Sequence, residues 1–102
     1  MISKYLEKRV ELDLCELMRT SSKIQLEYYL VESEYDQRYG YREDKAYGVE
    51  ISKKERDSYA ESETVTNLSN SKEKTQGILS ILARNTVTPV QLLFVLDELI
   101  EL

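Results

Sequence analysis

The stretch KIQLEYYLVESE, residues 23–34, puts Ile24, Leu26, Tyr28 and Leu30 on one side of an extended chain and Gln25, Glu27, Tyr29 and Val31 on the other. A two-residue period over this length is the signature of a β-strand. A central strand of this kind asks for hairpin partners, and the flanking sequence offers them. AYGVEIS, residues 46–52, places Tyr47, Val49 and Ile51 on one face, with Gly48 marking a bulge or a close backbone approach. KKERD, residues 53–57, reads as a polar connection to a third, weaker strand, SYAESETVTNL, residues 58–68. That strand has few side chains to bury, mainly Tyr59, Val65 and Leu68, and its Glu61 and Glu63 suit an edge, where charge discourages pairing with other molecules.

The opening segment has two readings. Ile2, Leu6, Val10, Leu14 and Leu17 have helical spacing, whereas Val10, Leu12 and Leu14 alternate as a strand would. A strand over Arg9 to Met18, turning through RTSSK into the central strand, is favoured because a hairpin partner covers that strand at small loop-closure cost.

Near residue 69 the composition shifts from Tyr- and Glu-rich to Leu- and Ile-rich. Strands followed by helices within one core make an α+β fold. We expect a three- or four-stranded antiparallel β-meander over about residues 9–68, then two antiparallel helices packed on one face over about residues 70–101, in a single domain spanning 1–102. The first helix starts where Ser69, Asn70 or Ser71 can cap it, buries Ile78, Leu79 and Leu82 with Ile81 at the flank, and ends at Asn85 in a left-handed conformation. The second has a more specific start: Thr88 at the cap, Pro89 at the first helical position and Gln91 three residues after the cap, a capping box. Leu92, Leu93, Leu96, Leu99 and Ile100 form its core-facing stripe.

Several chemistries are excluded. With no histidine and one cysteine, Cys15, the chain can assemble neither a Ser-His-Asp triad, nor a Cys-His pair, nor a zinc finger. No cofactor or metal is expected, and no catalytic residue is assigned. Glu32, Glu34 and Asp36 faintly resemble a calcium loop, but Gln37 stands where such a loop needs glycine. The lone cysteine and the absence of an apolar leader point to the cytoplasm. Nineteen acids against 14 bases, a net charge of −5, disfavour generic attraction to phosphate backbones. From Pro89 to Leu102 there is no Lys or Arg, so the helix pair has the outline of a helix-turn-helix without its base-reading chemistry, and an acidic amphipath is a poor membrane anchor.

A carboxylate-only mechanism stays open in principle, but no pair of acids is tied by a recognisable motif, and binding is the favoured reading. Val90, Phe94, Val95 and Leu102 lie partly or wholly off the core stripe, so the last helix is apolar around much of its circumference and is either buried on two sides or in contact with another chain. The expected function is that of a non-enzymatic cytoplasmic regulatory or adaptor protein, meeting a protein partner or a second copy through Phe94, Val95 and Leu102. The competing reading takes the Tyr-rich stretch with Glu32, Glu34 and Asp36 as an acidic face that mimics nucleic acid or docks a basic partner. Of the eight tyrosines, five fall between Tyr28 and Tyr41.

VELD at 10–13, EYYLVESE at 27–34, AYGVEI at 46–51 and LARNTVTPVQL at 82–92 together resemble a family of short proteins of clostridia and related Firmicutes, domain of unknown function 6514. The resemblance runs in order through nearly the whole chain, the turn from Asn85 to Pro89 being its most specific element. It implies a strand for the first segment and a bacterial cytoplasmic protein, and it transfers no activity. The chain departs from the family pattern at Gln91, where histidine is common, in the less acidic FVLDELI, and in the longer first turn CELMRTSSK.

Overall fold

The computed structural model describes residues 2–13, 23–34, 45–55 and 58–100, without the side chains of Asp13, Glu34, Ser58 and Ile100. Four strands, β1 (Ile2–Asp13), β2 (Lys23–Glu34), β3 (Lys45–Glu55) and β4 (Ser58–Ser69), form one antiparallel sheet in the order β1-β2-β3-β4. Helix α1 (Lys72–Arg84), a 3₁₀ turn (Pro89–Gln91) and helix α2 (Leu92–Ile100) follow. The α+β meander expected from the alternation is therefore present with four strands, and both helices contribute to a core on one sheet face. α1 lies across all four strands.

The core follows the β2 period. Leu26, Tyr28 and Leu30 point to the helices, joined by Val49 and Ile51 from β3, by Leu79, Leu82 and Ala83 from α1, and by Leu92 and Leu96 from α2. Tyr28 brings a hydroxyl into this layer and donates it to the Val87 carbonyl at 2.9 Å, which ties the interhelical turn to the sheet. Burial pushes the Tyr28 phenol up to about 12, so it stays a donor throughout the neutral range.

The first strand differs from the expected Arg9–Met18. It begins at Ile2; Leu14 to Met18 lie outside the described residues. The reason is a bulge at Glu7. Leu6 pairs with Tyr29 and Lys8 with Tyr28, so one extra residue is accommodated and the side chains change face across it. Leu6 consequently stands beside Tyr29 on the face away from the helices, and Val10 beside Leu26 on the helix face.

Two further expectations need correction. KKERD is not all connection: Lys53 to Glu55 continue β3, and Lys53 bridges Glu55 at 3.3 Å and Glu61 at 3.5 Å. Asn85 is not the left-handed residue ending α1. Its side-chain amide donates to the Ile81 carbonyl at 2.8 Å with φ −97°, and the chain turns left-handed one residue later at Thr86, φ 47°. At the other end Ser71 is the cap, its hydroxyl accepting the Lys74 N–H at 3.2 Å.

Gly48 meets the close approach anticipated for it. β4 bulges against β3 between the Tyr47–Ser69 and Val49–Val65 pairs, with Asn67 left-handed at φ 57°. A Cβ on Gly48 would collide with the Val65 carbonyl oxygen and lie 2.8 Å from the Thr66 Cα. Both sheet edges thus carry a bulge, a device that spoils edge-to-edge pairing.

Candidate functional site

The start of α2 fixes what its length presents. Gln91 N–H bonds the Thr88 carbonyl at 3.0 Å, and the Gln91 side-chain oxygen accepts the Thr88 N–H at 3.1 Å. Pro89 is buried at the first position of the turn, and Leu92 and Leu96 then enter the core one turn apart. With that side anchored, the series 90, 93, 94, 97 faces away from the core. Val90 is 69% exposed, Leu93 54% and Phe94 74%. Asp97 and Glu98, both exposed, follow within the next turn.

The buried arc of α2 is narrower than its apolar arc. Leu93 and Leu99, expected in the core stripe, are exposed, whereas Val95, expected to face a partner, is half-buried and packs against the core. Leu102 lies outside the described residues. The surface offered by α2 and the 3₁₀ turn before it is therefore Val90, Leu93 and Phe94, with Leu99 near its end. Beside it runs an open groove of about 610 Å³ between the end of α1 and α2, lined by Ile81, Val87, Phe94, Val95 and Leu99, with Glu98 the charged group on its wall. Leu93 and Leu99 escape sequence reasoning because period gives the direction of a stripe and not how much of it the sheet can cover. The available signal is an apolar arc too wide for one buried side.

The sheet face away from the helices holds two buried carboxylates that the sequence did not single out. Glu27, 2% exposed, accepts from Arg9 Nε at 3.2 Å and Nη2 at 3.0 Å, and from the hydroxyls of Tyr29 and Tyr59, each at 2.9 Å. Burial by itself would raise its pKa, but the hydrogen bonds from Tyr29, Tyr59 and Arg9 and the Arg9 charge outweigh it and leave the carboxyl below its ordinary value. Burial and the bond to Glu27 hold the Tyr29 phenol well above its usual range. Glu50 is served by Lys4 at 3.0 Å, Thr64 at 2.6 Å and Ser52 at 3.4 Å. Cation–ring contacts, Lys4 over Tyr29 and Lys54 over Tyr59, extend the same ladder. No buried side-chain polar atom among the described residues lacks a partner. A carboxylate so fully engaged is an organiser of the face rather than a poised acid or base.

Of the alternative acidic face only the Glu32 side chain falls among the described residues. Glu32 is neutralised by Lys45 at 3.2 Å, an interaction that raises the lysine pKa. The Glu34 side chain and all of Asp36 lie outside the described residues, and Tyr28 is committed to the core. No group of three or more metal-binding side chains occurs among the described residues, and none of their helices is long and apolar enough to cross a membrane.

A four-stranded antiparallel sheet packed on one face by two helices, with Val90, Leu93 and Phe94 exposed, defines a small α+β protein. The model of a family of unknown function, DUF6514, matches residues 8–102, and the chain belongs to that family. No curated protein and no solved structure matches it.

Proposed function

We propose that the protein is a non-catalytic binding protein, regulatory or adaptor in role, that docks a protein partner through the outward face of α2. One observation carries this reading: Leu93 and Phe94 on α2, with Val90 in the 3₁₀ turn that leads into it, stand exposed while the opposite side of the helix already fills the core. Phenylalanine at this exposure gains nothing for folding, and clustered apolar surface is the usual mark of an interaction site. A reducing, cytoplasmic setting suits a chain whose lone cysteine can form no internal disulfide.

The test is affinity capture from an extract of the native host, comparing the full chain with its Phe94→Ser variant, followed by reconstitution with the purified partner. A partner held by the full chain and released by the substitution supports the reading. Identical capture by both chains contradicts it.

A further inference from the structure

Resting on that reading, we infer that the occupant of the α2 face is an amphipathic helix of a partner protein that carries lysine or arginine about one turn beyond its apolar anchors. The outward series of α2 changes character along its length. Val90, Leu93 and Phe94 come first, and Asp97 and Glu98 follow within a turn of Phe94. Both carboxylates are exposed, and among the described residues no basic side chain bridges either one. They sit at the helix C-terminal end, where backbone carbonyls already concentrate partial negative charge and where α2 has no basic residue in its last turn. Carboxylates placed there work against the helix, and an incoming cation relieves both the side-chain and the backbone charge.

The same arrangement argues against the other occupants. A second copy crossing α2 on α2 would bring two more carboxylates to a face that holds no lysine or arginine from Pro89 to Leu102. An anionic lipid surface would meet acidic groups where it needs basic ones. A strand partner would look for a flat free edge, and both edges of this sheet are bulged. A helix laid beside α2 can set apolar side chains on Phe94 and Val90, send one toward the Val95 and Ile81 wall of the groove, and bring its basic group over Asp97 and Glu98.

A displayed library of helical peptides tests this on the full chain. Each peptide carries leucine at positions i, i+3, i+4 and i+7, and its other positions are drawn equally from Lys, Glu, Gln and Ser. Peptides selected on the protein are expected to hold Lys in roughly tenfold excess over Glu. That excess should invert on the Asp97→Lys/Glu98→Lys protein, and recovery should fall to background on Phe94→Ser. Peptides that depend on Phe94 but show no preference for Lys over Glu would overturn the basic partner while leaving α2 as the docking face. Selection indifferent to Phe94 would overturn both. A full chain that sediments as a dimer, and as a monomer after Phe94→Ser, would hand the face to a second copy and overturn the inference.

Discussion

At the scale of single residues the least expected feature is Glu27, a carboxylate held almost out of solvent on the sheet face away from α1 and α2. It persists because Arg9, Tyr29 and Tyr59 supply four hydrogen bonds between them, and charge-assisted bonds are about twice as strong as neutral ones. The charged form is favoured in the folded chain, so the folded pKa lies below the reference value of 4.5. Stability from this group is therefore complete above about pH 4.5 and is lost as the pH falls through the folded value. Glu27→Gln is expected to lower stability at pH 7 by about 1–3 kcal/mol and to flatten the acid limb. Urea midpoints of both chains between neutral and strongly acidic pH check this; curves that stay parallel into acid would show that Glu27 carries no such linkage.

Elements of the fold are set by patterns of different reach, and the glycines separate them. Gly48 faces the backbone of the β4 bulge, so Gly48→Ala must push two strands apart and is expected to cost about 3 kcal/mol. Gly77 lies exposed within α1 with nothing within 4 Å of an added Cβ, and Gly77→Ala is expected to stabilise by about 0.5–1 kcal/mol through helix propensity. Thermal melts of the two variants should move in opposite directions, and a neutral Gly48→Ala would mean the bulge does not close on β3. β2, the β3 glycine and the capped entry to α2 were legible in the sequence because each rests on neighbours within a few residues. The first half of β1 was not, because the bulge at Glu7 moves Leu6 and Val10 to opposite faces and leaves a spacing that imitates a helix. The left-handed step at Thr86 was hidden for a related reason: Asn85 spends its side chain on the Ile81 carbonyl and passes the turn to its neighbour. The exposed face of α2 was half legible, since Phe94 stood off the stripe while Leu93 and Leu99 stood on it and still remained uncovered.

For the whole molecule, the sheet supplies one face to a helical core and carries ionic and phenolic contacts on the other, where Ile2, Leu6 and Tyr59 stay exposed, while Val90, Leu93 and Phe94 gather apolar surface along the entry to α2 beyond the needs of folding. That surplus is the central claim, and melting temperature tests it most directly. Phe94, 74% exposed, and Leu96, 3% exposed, sit two residues apart on the same helix. Phe94→Ser is expected to melt within about 4 °C of the parent chain, since surface changes are usually worth less than about 0.5 kcal/mol. Leu96→Ala should lose about 2–5 kcal/mol and melt on the order of 10–40 °C lower. A Phe94→Ser protein that melts as low as Leu96→Ala would show that this ring belongs to the core, and the docking face would be gone with it.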